Sequence, residues 1–219
     1  ILEDLWQERF IMAEMLDIYT EQGQKIGTIS KKDYYSWEDP ETLPWINCCT
    51  CFVIDDVNKK ILFEKRGKRF LDPGKLDLCS GHVQSGEIPL QSMVRELDEE
   101  LSIGEADSRN LHHLGNIKLD YTNLEDETNR KSLKCFVSIY ALKMKDISSI
   151  QIDGREVIQK GWLNFDDSVG FISNSMTRLP YDNTLAPQYG AIFEKLNSYM
   201  FHKKRVQVRR TSEAERNFL

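Results

Sequence analysis

The chain reads as an α/β sandwich, a mixed β-sheet held between α-helices. Apolar, strand-like runs at residues 48–56 and 60–65 form the arms of a hairpin. Residues 76–80 alternate like a strand and lead through a Gly-containing loop into an amphipathic helix that starts at Pro89. Two more long strands are expected at 111–121 and 133–145, and helices from 166 onward and over 186–201.

From the start of the chain, residues 2–15 carry Leu2, Leu5, Trp6 and Phe10 at helical spacing. Short strands at 16–20 and 26–30 flank a hairpin turn, Glu21-Gln22-Gly23-Gln24. Glu38-Asp39-Pro40-Glu41 and Pro44 mark a linker, and the main domain begins near Trp45. The expected organisation is therefore an extension over 1–45, a main domain over 46–200 and a basic, polar tail over 201–219. Asp72-Pro73-Gly74-Lys75 has Pro and Gly in the order of a type II turn. A polar segment, 123–131, joins the two long strands, and 161–165 reads as a further short strand. There is no internal repeat.

At about 100° per residue, Leu90, Met93, Val94, Leu97 and Leu101 fall on one core-facing stripe of the helix. Glu96 and Glu100 fall on its flank, with Glu99 a step further round and Asp98 on the opposite side. Carboxylates three and four residues apart on a helix are neighbours and repel when ionised. A chain that keeps such a cluster usually holds a cation there, and hard oxygen ligands suit Mg²⁺ or Mn²⁺. A bare ELDEE run would be read as a solvated acidic face; its setting decides otherwise.

Composition is that of a soluble globular protein: 219 residues, 40% hydrophobic and 29% charged. No apolar run is long enough to span a bilayer, and Glu3, Asp4, Glu8 and Arg9 are unlike a signal peptide. The net charge of −6 argues against broad nucleic-acid binding; the basic run 202–210 reads as a solvated tail. Cys48, Cys49, Cys51, Cys79 and Cys135 form neither a disulfide framework nor a CxxC zinc pair. They read as small hydrophobes in a reducing, cytoplasmic protein. The apolar face of the extension is a candidate homodimer surface.

The central segment matches a spaced pattern: Gly81, five residues, Glu87, seven residues, then Arg95-Glu96-Leu97-Asp98-Glu99-Glu100-Leu101-Ser102-Ile103. This resembles the signature of the Nudix hydrolases at every constrained position but one, Ser102, where the family has Gly. A helix exit there asks for a left-handed residue, which costs Ser ~1 kcal/mol more than Gly; Gly104 is close enough to take over the turn. The resemblance implies that Glu96, Glu99 and Glu100 hold divalent ions, completed by the Gly81 backbone carbonyl. It makes Glu87 and Arg95 an ion pair that ties loop to helix and orients Glu96. The ions would bridge phosphate oxygens and lower the pKa of a water that attacks phosphorus in a diphosphate. The expected substrate is a nucleoside di- or triphosphate, or a nucleoside diphosphate linked to another group.

From about residue 16 to 165 the chain also resembles the Nudix branch related to isopentenyl-diphosphate isomerases, with LDIYTEQGQKIGTISKKD and then ILFEKRGKRFLDPGKLDLCSGHVQSGE. His82 would be a metal ligand in such an isomerase. That reaction also needs a Cys immediately before the loop Gly, where Ser80 stands here. Cys79, one place back, points to the opposite face of a strand. It needs upstream His ligands as well, and the four histidines are His82, His112, His113 and His202. Hydrolysis is thereby favoured over isomerisation. A non-catalytic Nudix-fold binding module is the other alternative, and the intact acids count against it. An additional carboxylate from outside the signature is expected; Glu156 is the candidate, with Glu125, Asp126 and Glu127 as the fallback. Lys65, Arg66, Arg69 and His82 are candidate phosphate contacts, and Glu156 a candidate for metal ligation or water activation.

Overall fold

The computed structural model describes residues 14–67, 74–122, 132–173 and 186–201. Residues 2–13 of the expected 2–15 helix, the Asp72-Pro73 turn residues, Arg69, the 123–131 segment with its three acids and the basic run 202–210 lie outside the described residues. Strand β1 (Met15–Tyr19) pairs antiparallel with β2 (Lys25–Ser30). Met15, expected to end a helix, opens a strand instead. A five-residue helix, α1 (Lys31–Tyr35), follows, with the Ser30 hydroxyl accepting from the Asp33 N–H as N-cap. The sequence reading missed it, because so short a segment shows barely one helical turn of pattern.

The large sheet is mixed. Among the described residues it contains β3 (Ile46–Asp55), β4 (Lys60–Arg66), β5 (Leu76–Asp77), β6 (Cys79–His82), β7 (His112–Thr122), β8 (Ser132–Met144) and β9 (Val157–Asn164). Strand β3 runs parallel to β8, and every other pairing is antiparallel. On its other side β3 pairs β6 through residues 48–51 and β4 only at 54–55, so β4 splays away and pairs β5 and β9 instead.

Alternation along the strands sorts the core into two layers. Phe52, Ile54, Ile61 and Phe63 face one side, packing with Ile172 of α4 (Phe165–Ser173, with α3, Glu105–Ser108, earlier in the chain) and with Tyr189, Ile192 and Phe193 of α5 (Ala186–Phe201). Cys49, Cys51, Val53, Leu62 and Cys79 face the other, packing against Met93, Leu97 and Leu101 of the motif helix α2 (Pro89–Leu101). This is the expected α/β sandwich. Leu16, Tyr34 and Leu43 join the first layer, and β1 is bridged to the main sheet at Tyr19–Trp45. All five cysteines are free thiols.

Helix α2 is rotated from the expected stripe. Its buried residues are Ser92, Met93, Glu96, Leu97, Glu100 and Leu101, while Leu90 is exposed. The acids meant for the flank have turned inward, toward a strand whose facing residue, Gly81, has no side chain. The helix ends at Ser102, which is itself left-handed (φ 54°, ψ 35°), and the following N–H of Ile103 reaches the Leu97 carbonyl at 3.0 Å. Gly104 has φ −68° and takes no part in the turn. Replacing Ser102 with Gly is therefore expected to stabilise the protein by ~0.5–1 kcal/mol. Urea denaturation checks this; an unchanged or lower midpoint would contradict it.

Candidate active site

Arg95 is the hub of the site. Its Nε lies 3.1 Å from Glu87 Oε1, and its Nη2 lies 3.2 Å from Glu87 Oε2, a two-pronged pairing. Its Nη1 donates to Glu96 Oε1 at 2.7 Å and to Glu99 Oε2 at 3.1 Å, and Nη2 also donates to the His82 carbonyl at 3.1 Å. Burial alone would lower the Arg95 pKa, but Glu87 and Glu96 outweigh it and hold the guanidinium firmly charged. Glu87 also accepts from the Ser92 hydroxyl and from the Gln84 N–H at 3.3 Å. Although burial pushes its pKa up, bonds from Arg95 and Ser92 bring it below the usual value. Loop 83–88 is thereby fastened to α2.

The signature acids split by depth. Glu96 and Glu100 are only 8% and 3% exposed, whereas the Glu99 side chain is 56% exposed. Glu100 Oε2 accepts from the Ser80 N–H at 3.3 Å. Burial pushes Glu96 up to about 7 against the pull of Arg95, and pushes Glu100 up strongly, reinforced by Glu64 and Glu96. A Cβ at Gly81 would overlap the Glu96 carboxylate, so glycine is required for Glu96 to lie flat on β6. The Gly81 carbonyl, assigned to the metal by the resemblance, faces Cys49 Sγ at 3.7 Å.

Two further acids come to the same place from other strands. Glu64 of β4 and Asp77 of β5 are directly opposite each other in register. Glu64 is 2% exposed, and its Oε1 has no hydrogen-bond partner among the described residues. Burial raises its pKa, with Asp77 adding to the effect and Arg66 opposing it. Sequence reading missed Glu64. Its signal was present: in ILFEKR it shares strand parity with the core residue Leu62, so an acid occupies a position where apolar residues belong.

Glu156 sits in a fixed loop. Asp153 accepts from the N–H groups of Glu156 (2.9 Å) and Val157 (2.8 Å), and Gly67 N–H donates to the Glu156 carbonyl at 2.8 Å. Its carboxylate receives Arg66 Nη2 at 3.2 Å, while Arg66 Nη1 lies 3.5 Å from Asp77. Arg66 is thus buried within the acid cluster rather than presented on the surface. Lys65 is half-buried on β4, pointing to the opposite strand face. His82 is buried beside the site: Tyr35 Oη is 2.7 Å from its Nε2, and Glu14 is 3.9 Å from its Nδ1. Glu14 in turn pairs with Lys31 at 2.6 Å.

These residues fit a divalent cation. Oxygen donors from Glu64 and Glu100 lie within 4.8 Å of one another, Glu96 is buried one turn away on the same helix, one Glu64 oxygen is orphaned among the described residues, and the strand beneath is cleared by Gly81. Without a cation, such a set of like charges is unfavourable.

A NUDIX domain family model matches residues 48–178, more than half of the chain. No curated protein matches by sequence. Among solved structures, the Deinococcus radiodurans protein DR0079 is 22% identical, with a TM-score of 0.56, over 80% of this chain and 96% of that one. A MutT protein from Methanosarcina mazei is 17% identical, with a TM-score of 0.49, over 72% and 96%. The NUDIX domain of Shewanella oneidensis NrtR, solved with ADP ribose, is 16% identical, with a TM-score of 0.47, over 77% and 99%. The chain belongs to the Nudix family.

Two outcomes follow from the geometry. The folded pKa of Glu96, about 7, lies above the ordinary glutamate value of 4.5, so the native state holds this proton more tightly than the unfolded chain. The stability it contributes is complete below pH ~4.5 and is lost as pH rises through ~7, a change of ~2–3 kcal/mol. Urea denaturation of the metal-free protein across this range should show the decline, and Glu96→Gln should flatten it; an equal slope in the variant would contradict the assignment. Gly81→Ala should displace the Glu96 carboxylate and reduce turnover about 10²-fold while the protein stays folded, as measured by steady-state kinetics and circular dichroism.

Proposed function

We propose that this chain hydrolyses a diphosphate linkage in a nucleotide-derived small molecule, using Mg²⁺ or Mn²⁺ held by Glu96, Glu99, Glu100 and the Gly81 carbonyl. The observation that carries the reading is the convergence of buried carboxylates where α2 crosses β6, with Arg95 already committed to Glu87. When bound, the cation supplies charge neutralisation at phosphate oxygens and a more acidic water.

The chain's own groups supply position. Arg95 fixes Glu96, and the Glu87 bond prevents it from swinging away to neutralise the whole acid cluster. Glu99 reaches toward solvent and would meet the substrate side. The hold of the Asp153 turn and Arg66 on Glu156 supports a role for it in orienting or deprotonating water. Lys65 and Arg66 were candidate phosphate contacts; the pairing of Arg66 with Asp77 and Glu156 favours a supporting role for it. His82, which an isomerase would need as a metal ligand, is engaged by Tyr35, and this favours hydrolysis. The free thiols suit a reducing, cytoplasmic setting. Among the described residues no helix is long and apolar enough to cross a membrane.

A panel of nucleoside di- and triphosphates, nucleoside diphosphate conjugates and an isoprenoid diphosphate, assayed with Mg²⁺ and Mn²⁺, tests the reading. At least one nucleotide should be cleaved in a metal-dependent reaction, and Glu100→Gln should lower turnover ~10²–10³-fold. Turnover that survives both chelation and Glu100→Gln, or isomerisation of the isoprenoid compound, would contradict it.

A further inference from the structure

We propose that Glu64 and Cys79 join Glu100 in an inner cation position that takes a divalent transition ion with an affinity for thiolate, such as Zn²⁺ or Co²⁺, in preference to Mg²⁺. The proposal rests on the hydrolase reading for Glu100 and adds two ligands that the signature does not contain.

Three elements bring the donors together. Glu64 comes from β4, Cys79 from β6 and Glu100 from α2. One ligand atom from each lies within 4.8 Å of the others, and all three residues are buried. Ligands around a tetrahedral ion at ~2.0–2.3 Å stand about 3.5 Å apart, so small side-chain movements would close this set on a common centre. Strand parity explains the meeting: Glu64 shares the α2-facing side of β4 with Leu62, and Cys79 packs in that same layer.

The orphaned oxygen is the independent sign that something belongs there. Among the described residues Glu64 Oε1 is buried without a hydrogen-bond partner, a state native proteins rarely leave uncompensated. Arg66 acts on Glu64 through its charge, but the hydrogen bonds described for the nearby cations go to other groups. Arg66 pairs with Asp77 and Glu156, and Lys160, opposite Glu64 on β9, donates to the Ile150 carbonyl. Two buried carboxylates therefore face each other with Asp77 alongside, and an ion between them would satisfy both.

The sulfur sets the preference. Mg²⁺ favours octahedral oxygen coordination and keeps several waters, which a buried donor set of this depth does not accommodate. Thiolate ligands favour softer ions. Binding would release the Cys79 thiol proton to solvent and leave a thiolate–metal bond.

Cobalt is the probe, titrated into the full-length, chelator-stripped protein. The expected result is a near-ultraviolet thiolate-to-cobalt charge-transfer band that disappears in Cys79→Ser. Glu64→Gln should weaken Co²⁺ binding by at least ~10-fold, and Zn²⁺ should displace Co²⁺ where Mg²⁺ does not. Thermal melting gives a second reading with opposite signs. Metal-free Glu64→Gln should melt above the wild type, because a buried carboxyl that is costly to ionise gives way to a neutral amide, yet gain less on adding Co²⁺. Absence of the band in the wild type, a band that survives Cys79→Ser, or unchanged Co²⁺ affinity in Glu64→Gln would overturn the proposal. Diphosphate turnover with Mg²⁺ alone, without the cobalt band, would sink the inner site and leave the hydrolase reading intact. The band without any turnover would do the reverse.

Discussion

A single guanidinium, Arg95, stands among three carboxylates and a backbone carbonyl, and the arrangement of the site depends on where its charge is spent. It is drawn to Glu87 by two hydrogen bonds, which locks the loop between β6 and α2. What remains reaches Glu96 and Glu99 but not Glu100 or Glu64. The helix therefore carries a charge imbalance into its buried face. Removing one partner of a buried pair leaves the other uncompensated, which is strongly destabilising. Loss of Arg95 would thus free the loop and worsen repulsion among the acids together.

The sheet makes that imbalance possible. Because β4 leaves β3 after two paired positions and turns to β9 and β5, Glu64 and Asp77 arrive side by side beneath the C-terminal half of α2. The same splay brings the Glu156 loop to the end of β4, where Gly67 accepts its close approach: a Cβ there would overlap the Arg155 carbonyl. Arg66 then ties β5 and the loop together through Asp77 and Glu156. Arg95 and Arg66 thus pair with acids around the cluster, Arg95 with Glu87, Glu96 and Glu99, and Arg66 with Asp77 and Glu156.

Much of this was legible in the sequence because it is local. The spacing of Gly81, Glu87 and Arg95 placed loop and helix, and residues 186–201 were read as a helix whose bounds the structure reproduces. What was missed depends on contacts between distant segments. Glu64 and Glu100 meet only through sheet pairing. The rotation of α2 that buries Glu96 and exposes Leu90 reflects the bare surface at Gly81, which no periodicity in the helix reveals. Strand β9 was read as 161–165 but begins at Val157, since Ile158 and Gln159 are exposed and blur the strand pattern. The departure at Ser102 was correctly located, yet its resolution was not: the serine accepts the left-handed turn itself.

The claim that the buried acids form a cation site is tested most directly by anomalous diffraction from crystals grown with Mn²⁺. The account predicts an anomalous peak at the buried carboxylates of Glu96 and Glu100, with the Arg95–Glu87 pairing retained. A peak confined to the exposed Glu99, or none between α2 and β6, would contradict it.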